Sequence, residues 1–361
     1  MYTYGGSAGN AFTLVAANAG QVADANIKGY ESVLRSQISY GVASRSAASE
    51  AAFERGTKLV VANMLRSFAK RLEISLMHGQ KEIGLVNADT VATTTLVISD
   101  ASWAPGIWNA SESATVEIFS ANLGTDRTAG ARSILSVDME TKTVVVSGGA
   151  LTLTAGDRVL FAGSYDFSGT VWNEMRGLSS IMLAYADGST DLFGINPASY
   201  NVWRSTVYNA GGSDLSFQKI QQAIGQAAGR GLDEGVTCMV SMKTWAKLLS
   251  DQAALRVYDQ SYTKAVAENG AEVIKFYGQT GIVEVMPSAF CKEGQALIFP
   301  KEQLMRIGST DVTFKLAGAE NDRFFRELVD NAGFELRAYS DQALFSAAPN
   351  KLLYISGIVN S

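Results

Sequence analysis

One stretch of the sequence constrains the fold more than any other, the run over residues 45–78. Apolar residues recur in it at spacings of three and four, and charged residues occupy the positions between them, which is the pattern of an amphipathic α-helix. At 1.5 Å per residue such a helix would be about 50 Å long, longer than an ordinary domain helix. Gly79 follows it, where a left-handed C-terminal cap is expected. The apolar positions are Val61, Leu65, Phe68, Leu72 and Leu76, and the charged ones are Arg66, Lys70, Arg71 and Glu73.

The chain before this helix is predicted to form two segments without a core of their own. Residues 1–25 are rich in Gly, Ala, Ser and Asn and show no sustained periodicity, which predicts an extended arm. Residues 26–44 alternate between apolar and polar side chains, which predicts a projecting two-stranded loop. Both segments are expected to need a neighbouring surface to order them.

After the helix the period of the apolar residues changes to two. Short alternating runs follow one another between residues 90 and 167, with turn sequences at 138–142 and 155–157. Strands this short and this close together predict a small β-barrel or β-sandwich. The predicted strands cover 94–99, 115–119, 133–137, 143–147 and 158–162, and their inward candidates are Val116, Ile118, Ile134, Val137, Val144, Val146, Val159 and Phe161.

From residue 177 onward helical and strand patterns are mixed, which predicts an α+β unit. One helix is expected to begin at Ser213 or Asp214 and to run past Ala227, and another to cover 242–255. Strands are expected at 272–276, 281–285, 295–299 and 312–316, and C-terminal strands at 334–339, 343–345 and 352–355.

Composition limits the classes of protein that fit. A chain of 361 residues is too long for one simple core, so two or three packing units are expected. Only 18% of the residues are charged and 47% are hydrophobic, which favours a subunit that hides much of its surface against copies of itself. The net charge of -5, with no basic run, argues against a protein whose main task is to grip nucleic acid. Cys238 and Cys291 lie in apolar stretches and are expected to be buried, reduced thiols.

The sequence also lacks the features of an exported or membrane protein. Residues 1–20 carry no charged side chain ahead of an apolar core, so no signal peptide is expected. No window approaches the roughly 18 apolar residues of a membrane helix. We therefore expect no contact with a membrane.

The parts of an active site are missing from the sequence. A Ser or Cys nucleophile needs a base, and the only histidine, His78, ends the long helix, where the helix dipole explains it. Three Cys and His residues scattered along the chain lack the spacing of a metal site. Residues 225–231 lack the lysine of a phosphate-binding loop, so no cofactor is expected. The chain is therefore predicted not to be an enzyme.

Two further pairs of residues permit a functional interpretation as well as a structural one. Asp233 and Glu234 have the chemistry of an acid–base pair, but a turn between helix and strand is where solvated acids normally lie. Trp103 and Trp108 flank Pro105 and Gly106, and such a loop can bind a sugar or a partner protein. Packing over the β-rich region is favoured for the tryptophans.

The order of these elements resembles that of the HK97-type major capsid proteins of tailed bacteriophages. Residues 71–86, RLEISLMHGQKEIGLV, resemble the end of that family's spine helix and the turn after it. Residues 177–182 and 193–196, with Trp203, resemble its path toward the axial domain, and residues 334–348 resemble its last peripheral strands. The similarity covers nearly the whole chain. It rests on the order of the elements and on their general residue pattern, because this family has no invariant motif.

The resemblance implies a fold class and a division of the chain. The fold would be α+β, an HK97-like capsid fold with an N-terminal arm, E-loop, long spine helix, peripheral and axial domains, and an inserted small β-barrel or β-sandwich. The implied ranges are the arm at 1–25, the E-loop at 26–44, the peripheral domain with the spine helix at 45–88, a β-rich insertion domain at 89–170, the axial domain at 178–300 and peripheral return strands at 301–361.

The resemblance also implies a function and partners. The chain would self-assemble as pentamers and hexamers into an icosahedral virion shell in the host bacterial cytoplasm, around double-stranded DNA that it contacts weakly and without sequence preference. A separate scaffolding protein and a portal would be further partners. Inter-subunit contacts are expected at Tyr30, Arg35, Tyr40 and Arg45. Some family members join subunits by a Lys–Asn isopeptide bond, and Lys28 and Asn350 are the residues that would take those parts here, although no motif identifies them.

Two alternatives remain open at this point. An encapsulin-type nanocompartment shell protein shares the fold, but would normally be shorter and lack the β-rich insertion. A β-rich phage tail or adhesion protein belongs to a different class, and the long helix argues against it.

Overall fold

The computed structural model describes residues 23–39, 50–250, 274–315, 326–328 and 333–360. Over these ranges the fold is mixed α/β, with few helices and many strands. The helices are α1 (Glu50–His78), α2 (Pro105–Trp108), α3 (Leu178–Leu183), α4 (Phe217–Ala228) and α5 (Met242–Ser250). The strands are β1 (Tyr30–Ser39), β2 (Gly84–Leu85), β3 (Thr90–Thr93), β4 (Thr95–Val97), β5 (Thr115–Phe119), β6 (Arg132–Asp138), β7 (Thr143–Val146), β8 (Leu151–Leu153), β9 (Arg158–Phe161), β10 (Tyr165–Asp166), β11 (Val171–Trp172), β12 (Thr206–Ser213), β13 (Val236–Val240), β14 (Ile274–Gly278), β15 (Gly281–Pro287), β16 (Ala296–Phe299), β17 (Leu304–Thr313), β18 (Arg326–Glu327), β19 (Gly333–Ser346) and β20 (Leu353–Ile358).

The long helix predicted from the sequence is present as α1, which the structure describes from Glu50. Met64 and Phe68 are buried on one face of α1. The burial of Phe68 agrees with its predicted place on the apolar face of the helix. Leu65 is 40% exposed, so its predicted place on the apolar face is wrong. The predicted left-handed cap at Gly79 is also wrong, because the positive φ of 60° belongs to the next residue, Gln80.

One sheet lies against α1 and joins distant parts of the chain. Its strands run β1-β19-β17, and β18 also pairs with β19. Met64 and Phe68 of α1 pack with Leu336 and Ala338 of β19. The predicted two-stranded loop over 26–44 is wrong within the described residues, because residues 30–39 form the single strand β1, which pairs along its whole length with β19 far away in sequence. Residues 40–44 lie outside the described ranges. Separate strands were expected at 334–339 and 343–345, but β19 runs unbroken through both.

A second sheet collects most of the strands predicted between residues 90 and 167. Its order is β2-β9-β5-β6-β7-β4, and the short pairs β3–β8 and β10–β11 flank it. Six of the eight inward candidates are buried, and Val137 and Phe161 are partly buried against the same core. Ile74 of α1 completes that core, so it is mostly but not wholly local. Residues 80–176 are called the β-rich unit below.

The third sheet is mixed and has the order β12-β20-β16-β13-β15-β14. Helix α4 was expected to begin at Ser213 or Asp214, but it begins three residues after Asp214, at Phe217. Its N-cap is Ser216, whose side chain accepts a hydrogen bond from the Lys219 N–H. α4 and α5 pack on one face of the sheet, and α3 packs on the other. The C-terminal strand β20 was expected to return to the peripheral sheet, but it lies between β12 and β16.

Candidate functional site

The described residues predicted to contact other subunits lie at β1. Arg35 is on the outer face of the sheet, with 61% of its side chain exposed, and its Nη2 lies 2.5 Å from Oε2 of Glu335 on β19. Hydrogen bonds from Arg35 and then Arg337 lower the pKa of the Glu335 carboxyl. Arg35 therefore has a partner within its own chain, and its predicted role between subunits stays a prediction.

Of the other three predicted contact residues, the structure describes only Tyr30. Tyr30 begins β1, and the Lys28 ammonium lies 5.8 Å from the centre of its ring. Tyr40 and Arg45 lie outside the described residues. Asn350, the predicted cross-linking residue, donates a hydrogen bond from its Nδ2 to the Arg230 carbonyl at 2.7 Å. The isopeptide hypothesis remains untested.

His78 ends α1 in the interior of the protein. Its Nε2 lies 2.8 Å from the Phe290 carbonyl and its Nδ1 lies 3.2 Å from the Ser179 hydroxyl. Because a carbonyl only accepts, Nε2 carries the proton and Nδ1 accepts from Ser179. Burial, reinforced by the positive charge of Lys292, lowers the pKa of His78 to about 3. The imidazole is therefore neutral, and the predicted interaction of a charged histidine with the helix dipole is wrong.

A buried lysine lies beside this histidine. Lys292 donates from Nζ to the main-chain carbonyl of Glu82 at 2.6 Å, and the Glu82 carboxylate is 3.3 Å away. Burial raises the pKa of that carboxyl, but the charges of Lys292, Lys81 and Arg158 outweigh burial and hold the pKa at about 2. Burial lowers the pKa of Lys292 itself. This ion pair joins the start of the β-rich unit to the segment before β16.

A second, partly buried ion pair joins the end of the β-rich unit to α1. The Arg71 Nη2 lies 3.1 Å from Oε2 of Glu174, and its guanidinium carbon lies 3.9 Å from the centre of the Phe161 ring. Burial lowers the pKa of Arg71 and raises that of Glu174, against the attraction between them. The pair lines a cavity of about 170 Å³ that also touches Tyr30 at the start of β1.

The two ends of the β-rich unit meet at a pair of glycines. The Gly177 N–H donates to the Gly79 carbonyl at 2.9 Å. A side chain on Gly177 would place its Cβ 2.3 Å from the Gly79 nitrogen, and one on Gly79 would meet the Met175 carbonyl oxygen at 2.2 Å. Both positions therefore need glycine for this backbone approach. α1 and α3 are therefore adjacent in space although about a hundred residues of sequence separate them.

The β-rich unit also contacts the segment that precedes β16. Three backbone hydrogen bonds, from Gly106 to Ala289 at 2.8 Å, from Glu293 to Trp103 at 2.9 Å and from Gly294 to Ala101 at 2.9 Å, connect the two. Trp103 is buried beneath these contacts. The β-rich unit is therefore attached to the rest of the protein through these contacts as well as through its two ends.

The two tryptophans weighed as a binding loop are core residues. Trp103 and Trp108 stack with ring centroids 5.7 Å apart and are 2% and 0% exposed. The packing interpretation is therefore confirmed, and a sugar or partner protein has no access to either ring. Gly84 allows the fit, because a Cβ there would lie 2.8 Å from the Trp108 ring.

The remaining chemical candidates have structural partners. Asp233 and Glu234 both bind the Lys351 ammonium, the first at 2.6 Å. Cys238 and Cys291 are buried and free, as expected, and burial raises the pKa of Cys291 to about 12. Within the described ranges there is no group of three or more metal-ligating side chains. No helix of that part of the chain is long and apolar enough to cross a membrane.

Sequence reasoning missed the ion pairs formed by Lys292 and by Arg71. Lys292 and Glu293 lie between Cys291 and the apolar strand β16, and charged residues in so apolar a stretch signal a buried pair. No comparable signal marks Glu174 as the partner of Arg71, or Glu335 as that of Arg35, because each pairing depends on the tertiary fold.

The chain is similar to several solved structures. No protein-family model and no curated protein matches the chain. The chain is similar to the procapsid of satellite phage P4, which includes the size determination protein, at 10% identity over 98% of this chain and 79% of that one, with a TM-score of 0.36. It is also similar to a subunit of the cyanophage A-1(L) capsid, at 12% identity over 50% of this chain, with a TM-score of 0.35, and it spans 60% of that protein's length. The SrpI encapsulin of Synechococcus elongatus matches at 8% identity over 43% of this chain and 54% of its own, with a TM-score of 0.28. The structural neighbours are thus phage capsid proteins together with an encapsulin.

Proposed function

We propose that this chain is the major capsid protein of a tailed bacteriophage, with the HK97-type fold and no enzymatic activity. In this proposal its copies form pentamers and hexamers that close into an icosahedral shell around double-stranded DNA. The observation that carries the proposal is the peripheral layer formed by α1 and the sheet β1-β19-β17. A helix of 29 residues lies on one face of that thin sheet, and the strand before the helix pairs with a strand near the C-terminal end of the sequence.

The layer has the properties of an element in a shell wall. Its core is small, with Met64, Phe68, Leu336 and Ala338 as the buried members, so one subunit stabilises it only modestly. β1 is ten residues long and is the outermost strand among those described. An edge strand of that length usually has a partner or a device that blocks pairing. A neighbouring subunit would supply the missing surface.

The domain division follows from the sheets. The peripheral domain would comprise α1 and β17 to β19, with the E-loop beginning at β1 and the arm at residues 1–25. The axial domain would comprise the mixed sheet with α3 to α5, and would include β20. The β-rich unit would be an insertion on the shell. The adjacency of Gly79 and Gly177 supports that last assignment.

The partners follow from the same proposal. A separate scaffolding protein and a portal would take part in assembly in the host cytoplasm. Contact with packaged DNA would be weak and without sequence preference, because an overall charge of -5 allows few phosphates to be neutralised.

Electron microscopy of the purified protein tests the proposal, combined with sedimentation at several salt concentrations and with candidate scaffolds. Closed shells of phage size are the expected result. Small uniform cages would instead support an encapsulin-type compartment. Protein that sediments only as monomers under every condition would overturn the proposal.

A further inference from the structure

The mixed sheet of the axial domain has one face that α3 covers only in part. On the opposite face, α4 and α5 cover the sheet from Leu353 on β20 to Phe276 on β14. On the α3 face, the central residues Met239, Leu297 and Tyr354 are packed under α3. The same face is open at both edges of the sheet, at β14–β15 and at β12.

Near the β14–β15 edge the open face borders a cleft, which lies at the start of β13 and β15 and after the end of β16. Tyr277 and Ile282 are paired across the two strands and are 81% and 47% exposed. Because Phe276 points to the covered face, Tyr277 points to the open one. Beside Ile282 lies a cleft of about 440 Å³. Its lining combines apolar and charged residues, namely Val236, Thr237, Ile282 and Pro300 with Glu234, Glu284, Lys301 and Glu302.

The acidic groups of this cleft differ in their partners. Glu284 binds Lys275 at 2.7 Å and Lys301 at 2.9 Å, and Glu234 accepts a hydrogen bond from Gln303 at 3.0 Å. Glu302, in contrast, has no hydrogen bond or ion pair with any side chain in the described ranges. It is an exposed carboxylate at an apolar opening, which a cation on an apolar surface would complement.

The opposite edge of the same sheet carries such a surface. Tyr185, Val202 and Val207 are exposed around the start of β12. The Arg204 guanidinium lies 4.6 Å from the centre of the Tyr185 ring and donates to Asn201 Oδ1 at 2.8 Å. Within the described part of the chain Arg204 forms no ion pair. Its guanidinium, which Tyr185 and Asn201 hold in place, can therefore pair with a carboxylate of another molecule.

We propose that the cleft beside β15 receives the Arg204 surface of a second copy of this chain, with Arg204 of one subunit facing Glu302 of the next. In the sheet order β15, which lines the cleft, lies four strand spacings, about 19 Å, from β12. A contact between two different surfaces is heterologous, and it generates closed rings when the rotation between subunits permits. The inference rests on the proposed assembly into pentamers and hexamers and identifies the contact that closes those rings.

Charge reversal at the two positions tests the contact. Arg204→Glu and Glu302→Arg each bring like charges together, so each should lower the fraction of protein in rings and shells by at least about tenfold at equal concentration. The double variant Arg204→Glu with Glu302→Arg restores an opposite-charge pair, and we expect it to assemble nearly as well as the wild type. Glu302 is exposed, so Glu302→Arg should not change the unfolding transition, whereas Arg204→Glu loses the stacking on Tyr185 and should lower the free energy of unfolding only slightly. Glu140→Arg, which reverses an exposed charge in the β-rich unit, outside the proposed shell wall, is the matched control and should assemble normally.

Sedimentation and electron microscopy of all five proteins separate the possible results. Single variants that assemble like the wild type would overturn the contact. Loss of assembly in the single variants without restoration in the double variant would show that the two residues do not face each other, and would also overturn it. A wild-type protein that never assembles would refute the proposed function together with this contact.

Discussion

The neutral state of His78 makes the stability of the protein fall in mild acid. His78 is the only histidine in the sequence, so no other imidazole titrates. Its pKa is about 3 in the folded protein and 6.5 in the unfolded chain. As the pH falls below 6.5 the unfolded chain takes up a proton that the folded protein does not, so the free energy of unfolding decreases by about 1.4 kcal/mol per pH unit. The loss at pH 5 should be about 2 kcal/mol, and at pH 7.5 nearly zero.

The measurement is urea unfolding of unassembled protein, followed by tryptophan fluorescence between pH 5 and 7.5. The range ends at pH 5 because the Glu82 carboxyl, with a pKa of about 2, adds its own loss only where the unfolded carboxyl protonates, near pH 4.5. His78→Gln is the control, since glutamine can still donate to Phe290 and accept from Ser179 but cannot be protonated. Its free energy of unfolding should lack this decrease, and the raised pKa of Glu174 should stabilise the folded protein slightly as the pH falls. A flat wild type, or an equal slope in the glutamine variant, would refute the burial of a neutral imidazole.

Three further predictions concern the arm, the glycine pair and the β-rich unit. Removal of residues 2–25 should leave a folded protein that forms shells poorly, and normal shells of normal thermal stability would contradict the role of the arm. Gly177→Ala should lower the free energy of unfolding by about 3 kcal/mol, because its Cβ would collide with Gly79. Gly149→Ala is the control and should change the free energy little, because its Cβ would meet nothing within 4 Å. Equal effects of the two variants in thermal melts would count against the close approach. Residues 80–176 expressed alone should unfold cooperatively and give dispersed amide signals, and a disordered spectrum would show that the unit depends on Ile74 and the segment before β16.

Local patterns predicted several strands of the β-rich unit and the helix α1 well, but they missed the short helices α2 and α3. Strands 115–119 and 143–147 appear as β5 and β7 within a residue, because alternation over a half-buried sheet is a local signal. α1 was predictable for the same reason, since its apolar spacing continues over many turns.

Contacts between distant residues were not predictable from such patterns. The partner of β1 is β19, and nothing near residues 30–39 specifies it. The protonation state of His78 depends on Lys292, and the need for glycine at position 79 depends on Gly177. Leu65 fits the helical period, yet it is 40% exposed and is not among the residues of α1 that pack against the sheet.

The pairing of β1 with β19 also affects the order in which the protein can fold during synthesis. Arg35 and Glu335, which meet across these strands, are 300 residues apart, so the sheet beneath α1 stays incomplete while most of the chain is being translated. Sheets built from such remote strands form late, because the loop must close before its contacts stabilise it. Meanwhile the β-rich unit, whose strands are neighbours in sequence, can fold as soon as it leaves the ribosome. Ribosome-bound chains that end before residue 333 should therefore protect the β-rich unit from protease while residues 30–39 are still cut, and partly made subunits would lack the layer that a shell requires.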